Sequence, residues 1–368
     1  MSNARKLADN LPSVGQLGNR NVIINGEFAL SQRGTSFTNI GSAGTYDDTY
    51  TIDRFLISQG VSAGRCTVTQ ESDTPTGFSN SLKIATTTAD TSIAAGEYHR
   101  LQTKFEGQNL QRFAKGTTGA KEFTLSFYCK ANAAATYVVE LVDNDNTRSV
   151  SKTFSVTTDW TRVIVTFPAD TTGAFTNDSN LSMEVNWWMH AGSTYSSGTL
   201  QTTWGAIVAA NRAAGIDSIF DSTSRTFFIT GIQLEVGPQS TPFEHEPIST
   251  TLAKCQRYFY QPINVASGST QRFGFYTASA YSNGTVVYGT YQFPVTMRAA
   301  PTYSVTNISS FKMRFGADTT STSSSYHGTA SSHTITPVFY ATGTTFTAGR
   351  HGWVEAIGGA KLAFDAEL

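Results

Sequence analysis

The sequence predicts an all-β protein: an N-terminal jelly-roll β-sandwich, a short connector helix and a smaller C-terminal β-sandwich, preceded by a short helical arm. Three observations point there. Short segments alternate apolar and polar side chains with period two, the pattern of a half-buried strand. Gly, Ser, Thr and Asp cluster between those segments, where turns need them. Charged residues make up 14% of the chain and aromatics 12%; an ordinary soluble domain is about 25% charged, and Thr and aromatic side chains suit a pleated surface. At 368 residues the chain exceeds a single ordinary core, so two domains are expected.

Residues 1–20 read as an arm. Ser2 or Asn3 can cap a helix whose stripe is Ala4, Leu7, Ala8 and Leu11, and Pro12 stops it. So short a helix is marginal alone in water and needs a docking surface. "PSVGQLGNR" follows as a flexible link.

Residues 21–247 read as the first sandwich. "VIINGEF" is a strand broken at the Asn25-Gly26 turn signal. "DRFLISQ", "SLKIATT", "KEFTLSFYCKA", "TYVVELVD", "WTRVIVTFPA", "LSMEVNWWMH" and "RTFFITGIQLEV" follow, roughly eight strands in all, which suits a jelly roll. In the last of them Phe228, Thr230, Ile232, Leu234 and Val236 are expected on one face, with Gln233 and Glu235 on the other. Gly237-Pro238 ends that ladder, because proline has no N–H to donate.

At 248–262, "ISTTLAKCQRYFYQ" switches to helical spacing. Leu252, Cys255 and Phe259 share a side, Ser249 or Thr250 is the cap, and Pro262 is the stop. Residues 263–368 return to strands: "RFGFYTA", "GTVVYGTYQFP", "TYSVTNI", "FKMRFGA", "HTITPVFYA", "GWVEAIG" and "KLAFDAEL". Within this second sandwich "DTTSTSSSYHGTASSH" reads as a low-complexity, mobile polar loop. No repeat or heptad is visible, so any oligomer is held by domain faces.

The net charge of −1 and the lack of a Lys/Arg cluster argue against nucleic acid or an anionic membrane as partner. Cys66, Cys129 and Cys255 are too widely spaced for a metal knuckle and make a disulfide framework unexpected. Cys129 falls in register with Phe123, Leu125 and Phe127, as a small core residue would. The start "MSNARKLADN" has no apolar h-region, and no run long enough to span a bilayer follows, so neither Sec export nor membrane insertion is expected.

Several blocks together resemble a family. "NVIINGEFALSQRGTSF" with "YTIDRF" is similar to the opening of β-sandwich modules in bacteriophage tail-fibre and related virion proteins. "FITGIQLEVGPQSTPFEHEP" resembles their close, "LAKCQRYFY" the connector, and "FPVTMRAAPTYSV" a hallmark of the downstream unit. "MSNARKLAD" and "AFDAEL" resemble the starts and ends of such fibres, and the first sandwich is similar in turn to carbohydrate-binding jelly rolls. The resemblance implies a virion protein of the tail, commonly a homotrimer. Its N-terminal arm, with Leu7 and Leu11, would anchor it to other tail proteins, and its C-terminal sandwich would be distal. Its partner would be host polysaccharide or lipopolysaccharide. Synthesis in host cytoplasm and release by lysis fit the missing signal. The chain departs from many fibres in lacking a long shaft, which leaves a head-attached decoration open.

Candidate sites follow from side-chain chemistry. In "LSMEVNWWMH", with Leu181, Met183, Val185, Trp187 and Met189 inward, Ser182, Glu184, Asn186, Trp188 and His190 share the other face. An aromatic plate beside an amide and a carboxylate suits sugar recognition. Glu184, Asn186 and Trp188, with Tyr195 or Trp204 from the following loop, are therefore a candidate glycan groove. The alternative is that this face packs against the second domain or another subunit. Tyr326, His327 and His333 are a candidate distal contact on the polar loop, and "TYDDTYT" offers Tyr46, Asp47, Asp48 and Tyr50. Both stretches are also readable as plain solvated loop.

No catalytic residue or metal is expected. The six histidines show no zinc spacing. Asp143 and Asp145 in "VDNDN" are only a fragment of a calcium loop. Carbohydrate-binding jelly rolls can hold a structural calcium, whose ligands the sequence does not place. A depolymerase would need two converging carboxylates; Glu184, Glu235, Asp143 and Asp217 are available, with no "GxSxG" elbow. A purely structural adaptor is the remaining reading.

Overall fold

The computed structural model describes residues 18–41, 46–273, 279–280, 286–315, 318–341 and 353–368. The expected helical arm, with Leu7 and Leu11, lies outside them. The chain divides into two units, Met1–Ile248 and Ser249–Leu368.

The strands of the first unit pair antiparallel throughout. In chain order these are β1 (Ser36–Ile40), β2 (Tyr46–Tyr50), β3 (Leu56–Gly60), β4 (Arg65–Glu71), β5 (Ser81–Thr88) and β6 (Tyr98–Glu106). Then come β7 (Phe123–Ala131), β8 (Ala135–Asp143), β9 (Arg148–Val156), β10 (Thr161–Phe167), β11 (Leu181–Ala191), β12 (Gly205–Ala206) and β13 (Thr226–Val236). They form a six-stranded sheet, β1-β4-β5-β13-β7-β10, and a seven-stranded sheet, β12-β9-β8-β11-β6-β3-β2. Inward side chains of both sheets make one core: Val68, Leu82, Phe127 and Ile229 from the first, Leu101, Leu141, Val185 and Trp187 from the second. Cys129 is in it as expected. Cys66, Cys129 and Cys255 are all buried. Burial pushes the Cys66 and Cys129 thiols up to about 12.

Two sequence expectations change here. Among the described residues of this unit thirteen strands replace the roughly eight expected, because β1, β2, β4, β6 and β9 mix polar residues on both faces and hide their period, and β12 is only two residues long. "VIINGEF" is no strand; it turns at Asn25, whose φ is 61°. It still pairs locally with β13, Val22 N donating to Leu234 O at 3.0 Å and Ile232 N to Gly26 O at 2.9 Å. Gly26 is required there, since a Cβ would stand 2.1 Å from Ile232 O.

The blocks that carry the family resemblance meet in space. Asn25 Nδ2 donates to Leu30 O at 2.9 Å and to Asp53 O at 3.0 Å, and the Asp53 carboxylate accepts from Gln32 N at 2.9 Å and Gln32 Nε2 at 2.7 Å. At the close, the aperiodic run after Gly237 folds back over the outer face of β13. Gln233 Oε1 accepts from Glu244 N at 2.8 Å, and Glu235 Oε1 accepts from Thr241 N at 2.8 Å. Asn21 N donates to Glu244 Oε2 at 2.9 Å, so the opening and closing blocks are tied directly.

β13 itself contains a bulge. Register slips between Thr230 and Gln233, and Gly231 has φ 62°. Phe227 and Ile229 therefore enter the core before the bulge, and Ile232 and Leu234 after it. Phe228 and Thr230 do not share a face with Ile232 as a straight strand would require.

In the second unit the helix is shorter than expected. It spans Ile248–Gln256, and Phe259 and Pro262 lie in β14 (Phe259–Asn264). The remaining strands are β15 (Thr270–Phe273), β16 (Ser279–Ala280), β17 (Val286–Tyr288), β18 (Tyr291–Gln292) and β19 (Thr302–Thr306). After them come β20 (Phe311–Phe315), β21 (Asp318–Ala330), β22 (Thr334–Ala341), β23 (Trp353–Ile357) and β24 (Lys361–Asp365). One sheet is β14-β24-β19; the other runs β15-β23-β20-β21-β22-β17-β16, with β18 also on β22. The Ser/Thr-rich stretch expected as a mobile loop is β21, paired with β20 and β22. Thr and short hydroxyl side chains sit comfortably on a pleat, and composition alone misreads them. Arg298 of "FPVTMRAAPTYSV" donates from Nε to Ala366 O at 2.7 Å, and Ala366 N donates to Tyr258 O at 2.7 Å. Hallmark, chain end and connector are thus tied together. Among the described residues no helix is long and apolar enough to cross a membrane.

Candidate functional site

Register on the seven-stranded sheet sets the candidate face. One row across it is Asp48, Ser58, Arg100, Trp188, Val138 and Thr153. The next is Tyr50, Leu56, Gln102, Asn186, Glu140 and Ser151. Tyr46, Gly60 and Tyr98 lie beside the first row, and Lys104 and Glu184 beside the second.

Glu184, Asn186 and Trp188 do share the face away from the core, but Asn186 and Trp188 are fully buried. The chain after β11 folds back over them. Trp188 packs with Tyr98, Val138 and Ala213, and Tyr195, Leu200 and Ile216 close over that cluster. The Arg100 and Arg212 guanidiniums lie 5.1 and 5.0 Å from the Trp188 ring. A ring covered this way offers no plate to a sugar. Tyr195 is brought to Trp188 at 5.4 Å between centroids. Trp204 is not: it packs 5.9 Å from Phe123 and its Nε1 donates to Pro168 O at 2.8 Å.

Beneath Tyr195 and Arg212 lies a polar network. Gln102 Nε2 donates to Glu184 Oε2 and Asn186 Oδ1, each at 2.7 Å. Asn186 Nδ2 donates to Glu140 Oε2 at 3.2 Å, and Trp188 Nε1 to the same oxygen at 2.8 Å. Arg212 closes the set on Glu140. Charge-assisted and fully connected, such a network rigidifies its surroundings.

What this face exposes is at its rim. Tyr46 is 72% exposed, at 6.1 Å from Tyr98, which in turn lies 5.4 Å from Tyr195. Asp48 is exposed, and Tyr50, Arg100, Lys104, Glu184 and Tyr195 are half-buried. "TYDDTYT", readable as loop, is thus in part the edge strand β2, and its Tyr46 is an exposed ring beside this face.

The acids named for catalysis are all engaged in holding the fold. Asp143 pairs with Lys115 at 2.5 Å, and Lys115 also meets Asp170 at 3.0 Å, Thr172 O at 2.9 Å and Gly173 O at 2.7 Å. That oxygen cage, part of the calcium-like fragment, is filled by the Lys115 ammonium. Asp145 accepts from Thr176 N at 2.9 Å, Asp217 from Thr136 N at 2.7 Å, and Glu235 from Thr241. Glu140 and Glu184 converge on Asn186, but Arg212 occupies both Glu140 oxygens.

In the second unit, Tyr326 and His327 lie on β21 opposite Val338 and Pro337. His333 is in the turn that follows, and His327 and His333 are both exposed.

No family model and no curated protein matches the sequence. Among solved structures, a CBM4 module is similar at 14% identity and TM-score 0.29, over 58% of this chain and 97% of that one. A family 11 carbohydrate-binding module from Clostridium thermocellum, in complex with a β-1,3-1,4-mixed-linked tetrasaccharide, is similar at 10% identity and TM-score 0.29, over 56% and 100%. The enzymatically active domain of bacteriophage CBA120 tailspike protein 4 is similar at 15% identity and TM-score 0.28, over 54% of this chain and 21% of that one.

Proposed function

We propose that the chain is a non-enzymatic phage tail-fibre, or receptor-binding, protein that attaches the virion to a host-surface glycan. Contact is made at the rim of the seven-stranded sheet, around Tyr46, Asp48, Arg100, Glu184 and Tyr195. The observation that carries this is Tyr46: a large ring 72% exposed on a strand edge, flanked by charged groups and backed by a buried network. Exposed rings pack on sugar C–H faces while neighbouring acids and guanidiniums bond hydroxyls. The His327–His333 hairpin of the C-terminal unit is a second, distal contact surface. Assembly as a homotrimer gains avidity from weak single sites, and the N-terminal arm fastens the trimer to the tail.

The test is retention on an array of bacterial lipopolysaccharides and capsular polysaccharides, comparing the wild-type chain with Tyr46→Ala. Binding by the wild type, lost in the variant with the fold intact, is expected. No glycan retained, or equal retention by both, overturns the site. A reducing-end assay on the retained glycan is expected to stay flat; sugar release would make the protein a depolymerase.

A further inference from the structure

A second cluster lies away from that rim. Asp90 and Glu97 stand at either end of the connection from β5 to β6, and His190 near the end of β11. A bulge between Trp188 and His190 shifts the register so that His190 pairs with His99. It sets the imidazole 5.3 Å from the Phe220 ring, not beside Trp188 as an unbroken alternation would have it. Asp90, Glu97 and His190 each place one ligand atom within 4.8 Å of the others.

All three side chains are buried, His190 completely. His190 Nε2 and Glu97 Oε2 lie 3.5 Å apart, and neither atom has a hydrogen-bond partner. Buried polar atoms are normally satisfied, so two orphans 3.5 Å apart, with an Asp90 oxygen within 4.8 Å of both, ask for an occupant. The outer partners are already in place. His190 Nδ1 is 2.8 Å from Ser218 Oγ, which accepts from Phe220 N at 3.0 Å. Asp90 Oδ2 accepts from Ser62 Oγ and Ala63 N, each at 2.9 Å. Ligating imidazoles and carboxylates are characteristically oriented by such bonds. The surrounding backbone is fixed too, Asp90 N donating to Phe220 O and Gly192 N to Glu97 O, both at 2.8 Å.

We propose that Asp90, Glu97 and His190 bind a divalent transition-metal ion of the zinc class, which fastens the 89–97 connection to β11. One imidazole nitrogen with two carboxylates suits zinc, with a water as fourth ligand; calcium takes six or more oxygens and no nitrogen. The rival occupant is a proton shared between the carboxylates, since burial and the Asp90 charge hold the Glu97 carboxyl above its usual range.

The full chain, stripped with EDTA and dialysed, is titrated with zinc chloride, with metal content and thermal melting read together. Uptake of about one equivalent and a rise in melting temperature of about 5 °C are expected. Calcium chloride is expected to give neither. Glu97→Gln, close to isosteric, and His190→Ala should take up no zinc, and neither should gain melting temperature when zinc is added. Cobalt chloride, added in place of zinc, should give a visible absorption band that His190→Ala abolishes. A stripped wild-type chain that takes up no zinc, or melts identically with and without it, overturns the proposal in favour of the shared proton. A rise with calcium alone overturns the choice of metal.

Discussion

Arg212 forks onto Glu140, its Nε and one terminal nitrogen each 2.8 Å from a different carboxylate oxygen. The guanidinium comes from the chain that folds back after β11, the carboxylate from the middle of β8. Trp188 and Asn186 donate to the same carboxylate. The pair thus turns the outer face of the sheet into a second small core and leaves only its rim to solvent.

Removing one partner of such a pair strands the other. Arg212→Met would leave the fully buried Glu140 without its cation, a change that costs about 3–5 kcal/mol. Urea denaturation of the N-terminal transition should show a loss in that range. Arg212→Met combined with Glu140→Gln should regain part of it, because no buried charge remains and the amide oxygen can still accept from Trp188 and Asn186. A single variant within about 0.5 kcal/mol of wild type would mean the fork does not hold the covering segment.

Trp188 and Tyr46 should separate stability from binding. Trp188→Ala empties a fully buried site and should cost about 3–5 kcal/mol, so any loss of adhesion in it reports misfolding. Tyr46→Ala removes an exposed ring and should stay within about 0.5 kcal/mol while losing glycan retention. Melting curves and array binding on the same two preparations decide it. A Trp188→Ala protein that melts like wild type would contradict the burial described above.

Sequence pattern reached the fold class because period-two alternation is strong in β5, β7, β8, β10, β11 and β13, whose inner faces are mostly apolar. It missed β6, where Arg100, Gln102 and Lys104 face outward but Tyr98 and Thr103 blur the contrast. It misread β21 because serine and threonine look like loop until a neighbouring strand supplies hydrogen bonds. The candidate face was found and its exposure was not. Alternation tells which residues oppose the core, whereas cover comes from the segment after β11, whose return has no local signal. The Asp90–Glu97–His190 cluster was invisible for another reason: residues so far apart in sequence show no ligand spacing, and a bulge undoes the parity assigned to His190.

Acid should weaken the cage around Lys115. Burial alone would raise the Asp170 carboxyl, but the Arg148 guanidinium, the Thr172 amide and the Lys115 ammonium outweigh it and hold it below the ordinary 3.8. The unfolded chain therefore takes up this proton at higher pH than the folded one. The stabilisation is complete above the ordinary value and is lost as pH falls through and below it. Urea midpoints measured from about pH 5 down to about pH 3 should fall for wild type. Asp170→Asn should start lower and fall less steeply. Parallel slopes would remove Asp170 from the acid response.

The bulge at Gly231 lets β13 meet two demands at once. Before it, Phe227 and Ile229 must point inward; after it, Ile232 and Leu234 must do so while Gln233 and Glu235 hold the returning segment. A straight strand would turn one of those sets out of the core, at a cost of several buried side chains. The extra residue instead takes a φ of 62°, open to glycine and costing other residues roughly 1–2 kcal/mol. A Cβ there would also stand 2.6 Å from Phe78 Cζ, and Phe78 packs on Phe243 and His245 of the closing block at 5.1 and 5.3 Å. Gly231→Ala should therefore lose about 2 kcal/mol or more, from backbone and ring displacement together. In a Phe78→Ala background the Phe78 contribution vanishes, and the same substitution should cost less, the roughly 1–2 kcal/mol of the left-handed backbone together with the milder crowding of the Tyr128 ring, 3.1 Å from that Cβ. A double-mutant cycle in urea separates the two. Equal costs in both backgrounds would show that Phe78 yields freely and that the backbone and Tyr128 reserve this position for glycine.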